Sequence, residues 1–457
     1  MRRREYAVTE QFDLLVIGAG MAGITAASKG AAGGWHVGIV DVLPYGGTCA
    51  LRGCDPKKIL RRGAEIVESA RLMRGKGVDD GGLRVDWPAL MRHKRGFTDP
   101  IPQRMEHDLT VKGVTTLHGA ARFVGPNEVA LDGTTYRAKK VLIASGARPR
   151  PLDFPGAEHL IDSTSFLNLE SLPHRVVFIG GGFVSFEFAH IAARAGSSPV
   201  IIERGRRPLK QFDGDLVELL VQRGAGAGIE VRSETSITAV ERAGTGYRVS
   251  TEHGGVSSWI DADLVVHGAG RVPELSGLGL DDANVASEPD GVTVAEHLQS
   301  TTNPDVYAAG DAAATAGLPI TPVAVFEGKV AVSNIIKNAT TVPDYTGTPT
   351  TVFAIPELTR VGLLEQEAHE AGLDLSVRYS DTSGWYSNYR VGETVAATKI
   401  LIDRSTDHIV GAHMLGPDYG ELVNIVGLAI KLGLTTRQLK SMVANYPTVG
   451  SDLSSML

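Results

Sequence analysis

The chain has 457 residues, which is enough for about three domains of ordinary size. With 43% hydrophobic and 21% charged residues it has the composition of a folded globular protein, which excludes disorder as its main state. The net charge is −7 without a long basic stripe, so we expect no nucleic acid partner. No apolar stretch reaches the roughly 20 residues of a membrane span, so we expect no membrane partner either.

The first twelve residues, MRRREYAVTEQF, start with basic residues but lack the apolar core of a signal peptide. Glu5 and Glu10 stand where that core would have to be. The sequence therefore predicts a short N-terminal tail on a cytoplasmic protein.

A dinucleotide-binding pattern begins at Phe12, where the sequence FDLLVIGAGMAG runs from a β-branched strand into a glycine-rich turn. Gly18 allows the tight turn, and Gly20 lets the backbone approach a pyrophosphate at the N-terminus of the helix that follows. Gly23 supplies the third glycine of the pattern. The next strand ends at Asp41, 23 residues after Gly18, where a carboxylate is expected to accept hydrogen bonds from a ribose.

The only two cysteines follow directly, in the sequence GGTCALRGCDPKK. Positions five apart on a regular helix are separated by about 140°, so a disulfide between Cys49 and Cys54 requires an irregular first turn, which Gly53 would allow. At the start of a helix both thiols are expected to have a lowered pKa. The pair predicts redox chemistry, and the alternative is two buried, reduced cysteines.

A second copy of the dinucleotide pattern, RVVFIGGGFVSFE, begins at Arg175. It places Gly180 and Gly182 in the turn, and its second strand ends at Glu203, again 23 residues after the first glycine. A single such turn also occurs in proteins that bind no nucleotide. Two copies with equal spacing to the acid predict two dinucleotide sites.

The segment after the second copy contains opposing signals for the nicotinamide cofactor. Glu203 would accept from a free 2'-hydroxyl and repel a 2'-phosphate, which favours NADH. Arg204, Arg206 and Arg207 could clamp a phosphate, which favours NADPH. The alternative is that these arginines are only solvated loop residues.

Three further strand-and-turn segments, beginning at Val141, Leu264 and Thr301, are typical of crossings between two nucleotide domains with the second inserted in the first. From about Pro343 strand patterns are followed by helical ones. The sequence thus predicts an α/β protein with two Rossmann-like domains and a C-terminal α+β domain. The predicted boundaries are 1–148 with 268–340, 149–267, and 341–457.

The glycine-flanked cysteine pair and the two fingerprints resemble the class I flavoprotein pyridine nucleotide-disulfide oxidoreductases over nearly the whole chain. This family includes glutathione reductase, lipoamide dehydrogenase and mercuric reductase. The resemblance implies a homodimer, held by the C-terminal domain, in which FAD accepts hydride from NAD(P)H and passes two electrons to the active disulfide. A small-molecule disulfide is then the expected substrate.

The resemblance also implies roles for individual residues. Cys54 would face the flavin, and Cys49 would be the outer thiol that attacks substrate. Lys57 would lie near the flavin N5 and pair with Glu187, and Phe183 would cover the nicotinamide pocket. A buried lysine there requires a carboxylate partner and would stabilise negative charge on the reduced ring. Without the resemblance, a solvated lysine and a glutamate on an amphipathic helix would be the simpler interpretation.

The cofactor sites implied by the resemblance use both fingerprints and the Gly310-Asp311 pair, which would hold the far end of the FAD ribityl chain and a phosphate. An arginine at Arg204 and a base at Lys210 match the NADPH-dependent members, so NADPH is predicted over NADH. No metal site is predicted. The remaining predicted cofactor-binding residues are Gly47, Thr48, Ala120, Ser145, Gly146 and Gly270.

The C-terminal segment ANYPTVGSD departs from the family, whose disulfide reductases have a catalytic histidine before Pro447-Thr448. Tyr446 occupies that position, and Ser451 stands where a glutamate is usual. A tyrosine, with a pKa near about 10, cannot share a proton with a thiol at neutral pH as imidazole does. It could donate a hydrogen bond to a thiolate or substrate, or only pack at an interface.

The leading hypothesis is therefore an NAD(P)H-dependent enzyme that reduces a small disulfide. The second is a flavin-dependent reductase of a metal ion, as in mercuric reductase, or of a quinone or dioxygen, because Tyr446 replaces the histidine. The third is a flavoprotein subunit of a larger complex without catalysis of its own.

Overall fold

The computed structural model describes residues 8–457. The predicted N-terminal tail is wrong for residues 8–12, because strand β1 (Val8–Ile17) already begins at Val8 and pairs with a neighbouring strand. Residues 1–7 of the predicted tail lie outside the described residues.

The chain divides into two compact units. The first contains the residues up to Pro56, His93–Arg150 and Arg271–Tyr345, and the second contains Lys57–Arg92, Pro151–Gly270 and Thr346–Leu457. The three-domain boundaries of the sequence analysis stay a prediction.

The first unit is built around a seven-stranded sheet whose centre is parallel. Elements are numbered in chain order through the whole chain. Besides β1, the strands of this unit are β2 (Val37–Asp41), β3 (Thr115–His118), β4 (Arg122–Gly125), β5 (Glu128–Leu131), β6 (Thr134–Ile143), β7 (Ala147–Pro149), β15 (Arg271–Pro273), β16 (Ser287–Glu288), β17 (Gly291–Thr293), β18 (Val306–Ala308) and β19 (Ala313–Ala314).

The main sheet has the order β3-β2-β1-β6-β5-β4, and β18 also pairs with β6. Strand β1 is apolar on both faces, with Leu14, Leu15 and Val16 almost wholly buried, as expected for a central parallel strand. The last residues of β6 pair in parallel with β18, while its first residues pair with β5. The carboxyl ends of β1, β2, β6 and β18 therefore meet at one edge of the sheet, where open α/β sheets bind ligands.

The second unit contains three further sheets. Its strands are β8 (Arg175–Ile179), β9 (Ser198–Ile202), β10 (Glu230–Arg232), β11 (Thr235–Ala243), β12 (Gly246–His253), β13 (Val256–Ala262), β14 (Leu264–His267), β20 (Thr350–Val352), β21 (Glu357–Gly362), β22 (Leu375–Asp381), β23 (Ala397–Asp403) and β24 (His408–Gly416).

These sheets differ in character. The sheet β10-β9-β8-β14 is parallel, β11-β12-β13 is an antiparallel meander, and β20-β21-β24-β23-β22 is antiparallel. All strands from β8 to β14 lie in the chain between β6 and β18, which pair with each other. The predicted fold class is therefore confirmed: two dinucleotide-type sheets, the second inserted in the first, and a C-terminal α+β region.

Helices connect and cover these sheets. Within residues 8–457 no helix is long and apolar enough to cross a membrane. The helices are α1 (Met21–Ala32), α2 (Cys54–Leu72), α3 (Trp87–Thr98), α4 (Ile101–Val111), α5 (Ser163–Phe166), α6 (Phe183–Arg194), α7 (Gly214–Ala225), α8 (Thr321–Lys337), α9 (Glu365–Glu370), α10 (Tyr386–Tyr389), α11 (Tyr419–Leu432), α12 (Thr436–Lys440) and α13 (Leu453–Met456).

Candidate active site

The first fingerprint forms a tight turn between β1 and α1. Gly18 has φ +108°, and a Cβ atom there would lie 2.3 Å from the carbonyl oxygen of Ala144. A Cβ at Gly23 would lie 1.9 Å from the carbonyl oxygen of Gly18, and Gly20 is the N-cap of α1. The three glycines thus let the strand, the turn and the helix approach closely, as the sequence predicted.

Asp41 closes this turn from the end of β2. Its Oδ2 accepts a hydrogen bond from the backbone nitrogen of Ala19 at 2.7 Å, and its Oδ1 accepts from that of Leu43 at 2.8 Å. Each carboxylate oxygen has further lone pairs, so Asp41 can still accept from a ribose hydroxyl.

Glu203 makes the same arrangement in the second unit. Its Oε2 accepts from the backbone nitrogen of Gly181 at 2.8 Å, and its Oε1 accepts from that of Gly205 at 2.6 Å. Gly180 has φ +102° and lies against the backbone at Ala269, leaving no room for a side chain. The equal spacings in the sequence therefore correspond to equivalent hydrogen bonds.

The basic residues beside Glu203 take different positions. Arg204 and Arg206 are exposed, and the Lys210 ammonium lies 4.0 Å from the Glu203 carboxylate. Arg207 instead donates to the carbonyl oxygen of Lys210 at 3.2 Å and is partly buried. The arginine cluster seen in the sequence therefore does not form a single clamp.

The Gly310-Asp311 pair lies just beyond β18, in a 3-10 turn. Gly310 has φ +70° and donates its backbone N–H to Oε2 of Glu327 at 2.6 Å. Burial raises the pKa of Asp311, and the charge of Arg271 opposes that shift. Glu327, a buried carboxylate in the middle of α8, was not among the predicted site residues.

The remaining predicted cofactor residues lie in turns. Ser145 donates its hydroxyl to the carbonyl oxygen of Glu274 at 2.6 Å. The others are located as follows: Gly47 and Thr48 at the start of the cysteine turn, Ala120 exposed after β3, Gly146 between β6 and β7, Gly182 at the N-cap of α6, and Gly270 just before β15.

The cysteine pair lies in an irregular turn, as the spacing required. Thr48–Arg52 forms a π-helical turn, Gly53 breaks it, and α2 begins at Cys54. A π-helix hydrogen-bonds residues five apart, which is the separation of Cys49 and Cys54, and such turns recur at functional sites.

Cys49 and Cys54 are not joined by a disulfide in this structure, and their side chains interact with each other. The pKa of Cys49 is raised, first because its thiol hydrogen-bonds with Cys54 and then because it is partly buried. The predicted lowering is therefore wrong for Cys49, because its interaction with Cys54 and its burial raise the pKa. Cys54 is exposed, and its sulfur lies 3.5 Å from the hydroxyl of Thr321, which the sequence analysis did not identify.

Lys57 and Glu187 form the predicted ion pair. The Lys57 ammonium lies 2.8 Å from Oε2 of Glu187, and the side chains are only 8% and 2% exposed. Lys58, which the sequence analysis did not single out, reaches the same oxygen at 2.9 Å, and the backbone N–H of Phe353 donates to Oε1 at 3.2 Å. Burial acts to raise the pKa of Glu187, but attraction to Lys57 and Lys58 outweighs it and lowers that pKa to about 2.

Phe183 and Tyr446 are both exposed aromatic side chains. Phe183 is the first residue of α6, and its ring centroid lies 5.3 Å from the Lys57 ammonium. Tyr446 is 74% exposed, with its ring centroid 6.4 Å from that of Tyr386.

The first fingerprint fits the nucleotide part of FAD, because it combines a helix N-terminus, closely approaching backbone and a carboxylate with free lone pairs. The second fingerprint has the same construction and fits NAD(P)H. Among residues 8–457 no group of three or more His, Cys, Asp or Glu side chains is arranged to hold a metal ion.

The fold, the two dinucleotide turns and the cysteine turn define a flavin- and nicotinamide-dependent oxidoreductase. Residues 12–328 match the pyridine nucleotide-disulphide oxidoreductase family, and residues 348–456 match the dimerisation domain of that family. The chain belongs to this family.

Known proteins similar to the chain include disulfide reductases. A glutathione reductase from Burkholderia cepacia is 30% identical, with 97% of this chain and 98% of the relative covered. A dihydrolipoyl dehydrogenase from Thermus scotoductus is 34% identical, with 97% and 96% covered. The HOCl-induced flavoprotein disulfide reductase RclA from Escherichia coli superposes with a TM-score of 0.88 at 25% identity, over 97% of this chain and 99% of that one.

These matches confirm the leading hypothesis at the level of class. The protein is an NAD(P)H-dependent flavoprotein disulfide reductase that uses FAD and NAD(P)H, and electrons pass from the nicotinamide through the flavin to a disulfide.

Proposed function

We propose that Cys49 and Cys54 form the redox-active disulfide and that the enzyme reduces a small-molecule disulfide. The observation that carries this proposal is the hydrogen bond between the Cys49 and Cys54 side chains across the π-helical turn that precedes α2. Bound FAD would supply two-electron transfer between the nicotinamide and this pair.

The two thiols have different tasks in this proposal. Cys49 attacks one sulfur of the substrate disulfide as a thiolate, which forms a mixed disulfide and releases the first product thiol after it takes a proton. Cys54 then attacks Cys49, which re-forms the Cys49–Cys54 disulfide and releases the second product thiol. The pair loses two electrons and the substrate gains two. Thr321 can support both thiolates, because its hydroxyl lies 3.5 Å from the Cys54 sulfur and its hydrogen bond acts to lower the pKa of Cys49.

Lys57 and Glu187 support the reduced state of the cofactor. Lys57 provides a positive charge that stabilises negative charge on a reduced ring, and Glu187 offsets the cost of burying that charge. Phe183 lies beside the Lys57 ammonium and can cover the nicotinamide position. Gly18, Gly20, Gly23 and Asp41 would hold FAD together with Gly47, Thr48, Ala120, Ser145, Gly146, Gly310 and Asp311, and Gly180, Gly182, Glu203 and Gly270 would hold the nicotinamide cofactor.

NADPH is the proposed donor. Arg204 is exposed, with no ion pair among residues 8–457, so its guanidinium is available to a 2'-phosphate. The Lys210 ammonium lies close enough to Glu203 to offset the negative charge that would repel that phosphate. A kcat/KM for NADH that equals or exceeds that for NADPH would overturn this choice.

A homodimer in the cytoplasm is the proposed working form. The match of residues 348–456 to a dimerisation domain supports it, and so does the exposed position of Tyr446, where a second copy could cover the ring. Sedimentation of the FAD-loaded protein tests the assembly, and a monomer at micromolar concentration would contradict it.

The decisive experiment replaces each cysteine in turn. We expect Cys49→Ser to abolish disulfide turnover and to leave reduction of the flavin by NADPH intact. Glutathione disulfide, lipoamide and a mycothiol-like disulfide are offered in parallel, each with both nicotinamides. Undiminished disulfide turnover in the Cys49→Ser variant would refute the proposal.

A second function, reduction of a metal ion, a quinone or dioxygen, is favoured by one observation. Tyr446 stands where the disulfide reductases have their acid-base histidine, and it is exposed. Under this alternative Tyr446→His raises turnover with small disulfides at neutral pH, with Tyr386→His as the control. Rapid turnover of a small disulfide by the unmodified enzyme would exclude the alternative.

A further inference from the structure

Arg52 occupies an unusual place for a charged residue, at the end of the turn between the two cysteines. Its side chain is partly buried. The turn lies across the first fingerprint, because Gly46 donates its N–H to the carbonyl oxygen of Ala19 at 3.0 Å. Gly47 lies so close to Gly20 that an added Cβ would come within 2.5 Å of the Gly20 Cα. The backbone that carries Arg52 is therefore fixed against the turn where a diphosphate is expected.

The charges of two neighbouring side chains, Asp41 and Arg271, act on Arg52 in opposite directions. Burial lowers the pKa of Arg52, the charge of Asp41 opposes this shift, and the charge of Arg271 adds to it. Asp41 already accepts two backbone N–H groups, and Arg271 donates to the carbonyl oxygen of Ala147. Within residues 8–457 the guanidinium of Arg52 has neither an ion pair nor a hydrogen bond.

This combination is unfavourable for the protein by itself. A partly buried guanidinium loses hydration, and it needs acceptors to replace the lost water. The positive charge of Arg271 adds repulsion at the Arg52 guanidinium. An anion bound at the Arg52 guanidinium would supply the acceptors and offset the repulsion, and a phosphate offers the planar guanidinium two oxygens at once.

We propose that Arg52 binds the diphosphate of FAD, together with the backbone N–H groups at the start of α1. The inference rests on FAD binding at the first fingerprint. Its consequence is that the turn carrying Cys49 and Cys54 is held to the cofactor by charge, so that binding of FAD also fixes the position of the thiols.

The test measures FAD binding by the deflavinated protein. Arg52→Gln is compared with Arg52→Lys, which keeps the charge, and with Arg122→Gln, which removes an exposed arginine paired with Asp282 in the same unit. We expect Arg52→Gln to raise the FAD Kd about 10- to 100-fold, the loss usual for a charged hydrogen-bonded contact, with partial recovery in Arg52→Lys and no change in Arg122→Gln.

A second measurement separates binding from folding. Because the Arg52 guanidinium has no hydrogen-bond acceptor among residues 8–457 without FAD, Arg52→Gln is expected to leave the melting temperature of the deflavinated protein unchanged or to raise it. A fall in that melting temperature together with weaker FAD binding would assign Arg52 a merely structural role and overturn the proposal. An unchanged FAD Kd in Arg52→Gln would also overturn it, whereas failure of the unmodified protein to bind FAD would instead refute the function on which the inference rests.

Discussion

The ammonium of Lys57 lies 2.8 Å from the carboxylate of Glu187, and both side chains are almost completely withdrawn from water. Lys58 contacts the same carboxylate oxygen, so the single negative charge of Glu187 interacts with two ammonium groups. Loss of that carboxylate would leave the buried Lys57 ammonium without its counter-charge.

Glu187→Gln is therefore expected to destabilise the protein by about 3–5 kcal/mol, the usual cost of breaking a buried ion pair from one side. Lys139→Met breaks the exposed pair with Asp13 and should cost at most about 1 kcal/mol. Denaturant unfolding of both variants measures the difference. Equal losses of unfolding free energy in the two variants would mean that burial does not make the Lys57–Glu187 pair more stabilising than an exposed pair.

The same carboxylate predicts a dependence of stability on pH. The pKa of Glu187 is lowered to about 2 in the folded protein, whereas an unfolded glutamate titrates near about 4.3. A lowered folded pKa gives stability that is fully present above the unfolded pKa and is lost as pH falls toward 2. The stability gap between the unmodified protein and Glu187→Gln should be constant above about pH 5 and narrow below it. A gap that widens on acidification would contradict this sign.

The thiol pair gives a prediction about ionisation. The pKa of Cys49 is raised chiefly by its hydrogen bond with Cys54, so Cys54→Ser should change the titration midpoint of Cys49 more than removal of any distant charge. We expect the midpoint to fall, as followed by ultraviolet absorbance of the thiolate in the reduced protein, with Arg122→Gln as the control. If the midpoint stays where it is or rises, the partner thiol is not the cause of the shift.

The nicotinamide preference can be tested at single residues. Arg204→Gln and Lys210→Gln are each expected to lower kcat/KM for NADPH about tenfold or more, because each removes a charge available to the 2'-phosphate. Turnover with NADH should be little affected. Arg232→Gln, which breaks an exposed pair with Glu230, is the matched control. An equal loss with both nicotinamides would show that these residues do not recognise the phosphate.

The parts of the site that the sequence predicted are those encoded by local spacing. The glycines, Asp41 and Glu203 belong to single βαβ units, in which strand and helix lengths fix the distance from turn to acid. The need for an irregular cysteine turn also followed from local geometry, since no regular helix brings positions five apart together.

The parts that were missed depend on contacts between distant segments. Thr321 lies 267 residues from Cys54 in the chain, and Phe353 lies 166 residues from Glu187. Neither has a local pattern that marks it, and Glu327 is the only acidic residue of α8, without a motif around it. The lowered pKa predicted for Cys49 was wrong because the side chain of Cys54 raises that pKa.

The most direct test of the central claim is anaerobic reduction of the oxidised enzyme with one equivalent of NADPH, followed by alkylation and mass mapping of the cysteines. Transfer of electrons to the pair predicts two newly alkylated residues per chain, Cys49 and Cys54, and long-wavelength absorption from a thiolate beside the flavin. Bleaching of the flavin without any new alkylated cysteine would contradict the account.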